Sequence, residues 1–269
     1  MNKTLLITSN QLRHKYVAHI ISSNLNLCGI LSEKKPTTNF QINKSADSRK
    51  RILENHFYQR DKVEKEILGE IKRFPNSVRL KKIDRGQSNS EPVFEWIRNI
   101  NPDLIILYGS SIIRPPLLDF YDKKIINLHL GLSPYYRGSG TNFWPLVDAV
   151  PECVGATIHL ATSDVDAGNI LAQVRPKKIS VEDGVHNLGT KTIISGADML
   201  CKTVTHYYQN RLVPKKQNLE IGKVYRRKDF NAEAVETMLQ NFNDGMIEKY
   251  LSNKNQRDNK YPIVKPEIL

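Results

Sequence analysis

The 269-residue chain predicts an α/β fold: a mostly parallel sheet flanked by helices, with a short C-terminal extension. Three observations carry this. The chain opens on an apolar run, a helical segment and a second apolar run, and a β-α-β order implies a parallel sheet. Leu104 to Tyr108 is continuously apolar, as in a strand covered on both faces. Val185 to Tyr208 reads as one long helix, with Gly189 and Gly196 inside it.

The elements follow in order. Thr4 to Thr8 is a short apolar strand closed by Ser9-Asn10. Tyr16, Val17, Ile20 and Ile21 recur at helical spacing within residues 13–24, and Leu27 to Leu31 is the next strand. Ser32 to Asp47 shows no period and reads as a mobile loop. Ser48 to Phe74 is charged, with apolar residues at helical spacing, and reads as helix. Val78 to Ile83 alternates as a strand. Ser90 suits a helix N-cap, with Glu91 and Pro92 in the first turn of a helix ending near Asn99. Lys124 to Leu130 and Val154 to Leu160 are further strands, and Asn142-Phe143-Trp144 starts a helix. Past Arg211 the composition turns basic, with Lys215, Lys216, Lys223, Arg226, Arg227 and Lys228, and Ala232 to Tyr250 reads as helix. A catalytic domain over 1–210 and a small basic extension over 211–269 are therefore expected.

Hydrophobic content of 39% and charged content of 25% are those of a globular chain, and the net charge of +12 admits anionic partners. The basic residues lack the interleaved aromatics of a base-stacking platform, which argues against a nucleic-acid-binding module. Cys28, Cys153 and Cys201 sit in apolar settings without a C-x-x-C and read as reduced core residues. The first apolar run is too short for a signal peptide, and no stretch approaches a membrane span. A cytoplasmic protein with no membrane partner is expected.

The chemistry concentrates in the run from Ile126 to Gly138 and in Asp164-Val165-Asp166-Ala167-Gly168. Asn127 and His129 are two apart on a strand and share a face. A carboxamide and an imidazole there can donate to one developing oxyanion, and Asp166 can orient the imidazole. Gly168 lets the acidic turn close sharply. A calcium loop is excluded, because its sixth and twelfth places hold Asn169 and Arg175. Zinc-type spacing among His129, His159, Cys153 and Asp166 is missing, so no metal is expected. Arg13, His14 and Lys15 add charge to a helix N-terminus after Asn10, a setting that attracts anions. Arg137 is open between a structural role and a substrate contact.

The N-L-H-x-G-L-S-P run with the later D-V-D-A-G turn resembles the folate-dependent formyltransferases, over roughly residues 3 to 210. The resemblance implies a Rossmann-like catalytic domain with Asn127, His129 and Asp166 as catalytic residues. It implies N10-formyltetrahydrofolate as formyl donor, with the pterin near Leu107, Tyr108, Gly109, Ile112, Ile113, Asp164 and Val165. The 211–269 extension is shorter than the barrel that methionyl-tRNA formyltransferases carry, and the Ser9 to Lys15 loop lacks the glycine of ribonucleotide formyltransferases. The Gly86 to Ser90 segment and the run from Tyr135 to Trp144 are most like bacterial sugar N-formyltransferases. The expected acceptor is thus the amine of a nucleotide-linked sugar destined for a cell-surface glycan such as lipopolysaccharide O-antigen. Asn10, Arg13, His14, Lys15, Tyr136 and Arg137 are the expected substrate contacts. Methionyl-tRNA or another primary amine is the alternative acceptor, and the extension is where a homodimer would form.

Overall fold

The computed structural model describes residues 2–35 and 48–267. Strand β1 (Lys3–Ser9), helix α1 (Leu12–Asn24) and strand β2 (Asn26–Glu33) form the opening unit. Helix α2 (Ser48–Leu68), β3 (Arg79–Ile83), α3 (Glu91–Ile100) and β4 (Leu104–Tyr108) follow. After the short α4 (Leu117–Phe120) come β5 (Ile125–His129), β6 (Tyr136–Gly138), α5 (Trp144–Val147), β7 (Ala156–Leu160) and β8 (Ile170–Val174). Helix α6 (Val185–Tyr208), strand β9 (Lys223–Tyr225) and helices α7 (Ala232–Asn243), α8 (Met246–Ser252) and α9 (Lys254–Lys260) complete the chain.

One seven-stranded sheet runs in the order β3-β2-β1-β4-β5-β7-β8. Its strands are parallel from β3 to β5, and β7 and β8 join antiparallel. The fold is therefore the mostly parallel α/β sheet expected. Alternation along the strands sends Leu6, Ile106, Ile126 and Leu128 to one face, under Val17 and Ile21 of α1 and Ile193 and Ala197 of α6. Leu5, Ile7, Ile105 and Ile125 point to the other, under Val93 and Ile97 of α3. That double cover is why β4 reads as an unbroken apolar run. The winding reverses between β1 and β4, which opens a crevice at their carboxyl ends.

Several boundaries differ from the sequence reading. Ser32 and Glu33, expected in a loop, extend β2, while positions 36–47 of that loop lie outside the described residues. Helix α2 stops at Leu68, ahead of Gly69 at φ 76°. The single helix expected over Ala232 to Tyr250 is two, parted by Gly245 at φ 75°. The sequence did not mark β8, every residue of which is buried, nor the parallel pair β6–β9. Val235, Met238, Met246 and Ile247 share a core with Tyr136, Phe143, Trp144 and Leu146, so the segment after residue 211 packs on the part that follows β5. No helix among the described residues is long and apolar enough to cross a membrane.

Candidate active site

The site is built around the Asp166 carboxylate, which is nearly buried. Strand β5 presents Asn127 and His129 on one face. Strand β7 runs antiparallel beside it and sets His159 directly opposite Asn127. The turn after β7 returns Asp166 over both strands. His129 Nδ1 lies 3.2 Å from Asp166 Oδ2, and Asn127 Nδ2 donates to Oδ1 at 3.1 Å. His159 Nε2 lies 3.4 Å from Oδ1, and the Gly138 N–H of β6 donates to Oδ2 at 2.8 Å. Asn127, His129 and Asp166 thus converge on one point, the strand spacing accounting for the shared face of Asn127 and His129.

The backbone of the acidic turn explains its composition. Asp166 itself takes the left-handed conformation, at φ 49°, which aims its side chain inward. Gly168 is required for a different reason than a left-handed turn. A Cβ there would lie 1.7 Å from the Leu160 carbonyl oxygen. From the C-terminal segment, Gln217 Nε2 donates to the Asp166 carbonyl at 3.0 Å and to the Gly168 carbonyl at 2.5 Å. Gln217 was missed in the sequence because nothing local distinguishes it. In the sequence His159 stands out only as a possible metal ligand; the β5–β7 register is what sets it opposite Asn127. Among the described residues no group of three His, Cys, Asp or Glu side chains could hold a metal ion.

Electrostatics set the resting state. Burial works to raise the Asp166 carboxyl, but it is outweighed by His129, the bond to His159 and the Gly138 N–H, which hold it well below the usual carboxylate range. Burial pushes His129 below its ordinary value, more than Asp166 lifts it. Its Nε2 faces the Tyr136 carbonyl at 3.1 Å. Both ring nitrogens therefore face oxygen acceptors. A proton arriving on the neutral ring finds both N–H groups already partnered. Asn127 Nδ2 donates to Asp166 Oδ1 and lies 3.1 Å from His159 Nε2, so these two neighbours compete with a substrate oxyanion for its hydrogens.

The other expected residues divide into three places. Leu107 pairs in register with Asn127, and it is buried with Tyr108 and Ile113 at the end of β4. Beyond them Gly109 turns at φ 64°, and Ile112 and Val165 expose apolar side chains, 52% and 39% accessible, on the loops after β4 and β7. Asp164 is exposed beside Val165. Glu33, assigned to a loop by sequence, is buried and fastens this region. It accepts bonds from Ser88 Oγ at 2.5 Å and the Ser111 N–H at 2.8 Å.

The β1–α1 turn departs most from expectation. Arg13 is held by Glu64 at 2.7 and 2.9 Å and by Gln11. His14 is buried against Gly109, and its Nδ1 accepts the Gln11 N–H at 3.2 Å. Burial, then Arg13, Lys35 and Arg60, push it well below the ordinary histidine value, so it adds no charge. Asn10 Oδ1 accepts the Lys35 N–H at 3.2 Å. Lys15 lines a cavity of about 750 Å³ with Asn10, Lys34, Lys72, Arg73 and Lys82. Tyr136 is a buried partner of the site, its hydroxyl given to Asp148 at 2.9 Å. Arg137 donates to the Leu219 carbonyl at 3.4 Å, which fixes it on the C-terminal segment.

The family model for formyl transferases matches residues 6–204. The chain belongs to this family. It is 32% identical to the methionyl-tRNA formyltransferase of Finegoldia magna over 144 residues, 51% of this chain and 46% of that protein. The match thus spans about half of the relative's length. Among solved structures, phosphoribosylglycinamide formyltransferase from Anaplasma phagocytophilum superposes with a TM-score of 0.55 at 17% identity, covering 84% of this chain and 98% of that one. The N-formyltransferase of Helicobacter canadensis, solved with folinic acid and dTDP-3-aminofucose, gives 0.53 at 15% identity, covering 88% and 80%. At these identities the likeness is one of fold. The family match ends at residue 204, so Gln217, which bonds to the Asp166 turn, and strand β9, which pairs with β6, lie beyond it.

Proposed function

We propose that the chain transfers a formyl group from N10-formyltetrahydrofolate to the amine of a nucleotide-linked sugar. The observation that carries the transfer chemistry is the Asp166 carboxylate bridging Asn127 and His129 at 3.1 and 3.2 Å. The amine attacks as a free base, and its nitrogen bonds to the formyl carbon. The carbonyl oxygen becomes an oxyanion, which the Asn127 amide stabilises by donating a hydrogen bond. His129 enters the reaction neutral, because burial holds its value down, and takes the proton the amine gives up. The resulting imidazolium is stabilised by Asp166 and the Tyr136 carbonyl. Collapse of the adduct breaks the bond from the formyl carbon to the donor nitrogen, and His129 returns the proton to that nitrogen.

The donor site is supported by the apolar Ile112 and Val165, open to a flat ring, beside main-chain groups of Gly109 and Asp164. A nucleotide-sugar acceptor is supported by the Helicobacter canadensis structure solved with such a molecule. Methionyl-tRNA is the second reading, favoured by the names of the sequence relatives. Incubation with formyltetrahydrofolate and a panel of amino-sugar nucleotides, with methionyl-tRNA in parallel, tests both by mass spectrometry. A formylated sugar nucleotide supports the first reading. Formylated methionyl-tRNA alone overturns it.

A further inference from the structure

Strand β6 gives the site two backbone groups. The Tyr136 carbonyl faces His129 Nε2 at 3.1 Å, and the Gly138 N–H donates to Asp166 Oδ2 at 2.8 Å. A strand of three residues holds no position by itself, and a two-stranded pair needs packing to persist. Among the described residues the sheet partner of β6 is β9, which pairs with it in parallel from beyond the family match. The Lys223 N–H donates to the Tyr135 carbonyl at 2.9 Å, and the Ser139 N–H to the Tyr225 carbonyl at 2.8 Å. The approach is close. A Cβ on Gly138 would collide with the Tyr225 carbonyl oxygen, and one on Gly222 with the carbonyl oxygens of Pro134 and Tyr135.

Side chains fasten this pair. The Tyr225 ring lies 4.5 Å from that of Trp144, with 9° between the planes, and 5.9 Å from that of Tyr136, with 7°. The Tyr136 and Tyr225 hydroxyls both donate to Asp148 Oδ2, at 2.9 and 3.2 Å. Burial, then Asp148, push both phenols upward, Tyr225 to about 12, so both remain O–H donors at neutral pH. Trp144 Nε1 donates to the Ser139 carbonyl at 3.0 Å, which ties the stack to the residue after β6. Parallel rings and two hydroxyls on one carboxylate oxygen set where β6 lies.

We propose that Tyr225 and Asp148 are positioning residues for the transfer reaction. With Trp144 they clamp β6 so that its Tyr136 carbonyl and Gly138 N–H meet the His129–Asp166 pair. The proposal rests on the formyl-transfer reading of that pair, and it makes the segment past residue 211 part of the site. The chemical reason is the fate of the proton. An imidazolium at His129 needs an acceptor on each nitrogen, and the Tyr136 carbonyl is the one at Nε2. Asp166 and that carbonyl favour the charged ring, while burial and His159 oppose it. If β6 slips, the ring loses the acceptor at Nε2.

Histidine-labelled NMR on the full chain tests this without turnover, in Tyr225→Leu, Tyr225→Phe and Asp148→Ala. Asp148 is exposed and Tyr225 half-buried, so all three variants should fold. Tyr225→Leu and Asp148→Ala should each lower the His129 titration midpoint by about half a pH unit or more, as for one weakened hydrogen bond. Tyr225→Phe, which keeps the ring, should lie between wild type and Tyr225→Leu. The signals of His14 and His19 on α1 should stay in place. On a formylated acceptor, kcat should fall about tenfold in Tyr225→Leu and Asp148→Ala, with both Michaelis constants little changed. His129 signals at their wild-type positions in both of these variants would overturn the proposal. So would equal displacement of His14 and His129, because β9 would then serve general packing. A change confined to a Michaelis constant also overturns it, since the segment would then touch substrate. If His129 moves as expected and no amine is ever formylated, the clamp stands and the transfer reading fails. Formylation at the wild-type rate in all three variants would do the reverse.

Discussion

The acidic turn after β7 and the basic turn after β1 each follow a strand of the same sheet, yet they turned out differently. Asn127 and His129 share a face as their spacing implied, and Asp166 meets them there. Arg13, His14 and Lys15, equally adjacent in sequence, go to a carboxylate, a buried niche and a separate cavity. Two residues on one strand face are held together by the pleat, whatever surrounds them. Residues at a helix start point in diverging directions, and each finds its partner elsewhere. Glu64, fifty-one positions from Arg13, is invisible to local reading.

The largest effect that could break this contrast is on turnover. His129→Ala and Asp166→Asn should each reduce kcat by roughly 10²- to 10⁴-fold, as for loss of a proton-transfer or oxyanion-site group. Steady-state kinetics on the identified acceptor checks this, and near-normal kcat in His129→Ala would remove the site as drawn.

Next in size is Gly168→Ala. A Cβ 1.7 Å from the Leu160 carbonyl forces β7 and the acidic turn apart. A loss of about 2–4 kcal/mol is expected by denaturant unfolding. An unchanged midpoint would show that the turn yields freely, and the strictness of the β7 side of the contrast would be lost.

Gln217→Leu should reduce kcat by about tenfold, since a misplaced orienting group costs less than a removed one. The buried side chain keeps its volume, so the fold should persist, while two carbonyls of the turn lose their donor. The His129 ring titration, followed by NMR, should shift as Asp166 loosens. A normal titration would make Gln217 a packing residue only.

Acid stability compares the two turns directly. His129 and His14 both sit below the ordinary value of 6.5, principally through burial. Below pH 6.5 the unfolded chain therefore takes up protons that the folded chain refuses. Stability is complete above that pH and falls as pH drops, by on the order of 1 kcal/mol per imidazole per pH unit. Asp166 contributes in a lower window, because its depressed value keeps its stabilisation until pH falls below the usual 3.8. Thermal melts between pH 8 and 5 should show the decline, and His14→Gln should flatten part of it. A melting temperature that is level or rising on acidification would contradict the neutral assignment in both turns.

Much of the frame was legible because it depends on local pattern. The continuous apolar β4, the period of α6 and the β-α-β opening all report burial that the strands and helices impose on their own residues. Strand β8 escaped notice because Ile170 to Val174, with Gln173 inside it, does not alternate. Glu33 escaped because a buried carboxylate looks, in sequence, like a loop residue until Ser88 and Ser111 arrive.

The sequence by itself determined the sheet, its family and the pair Asn127 and His129, because strand periodicity and chain order need no distant partner. Only the tertiary structure decided that His159 joins them, since antiparallel register sets it opposite Asn127. Only the tertiary structure brought Gln217 back to the Asp166 turn from fifty residues on, and paired β9 with β6 beside it. It also decided which cations remain unanswered. Charge is a property of a residue, but its neutralisation depends on which carboxylates the fold brings near, and at Lys35 it brings none among the described residues.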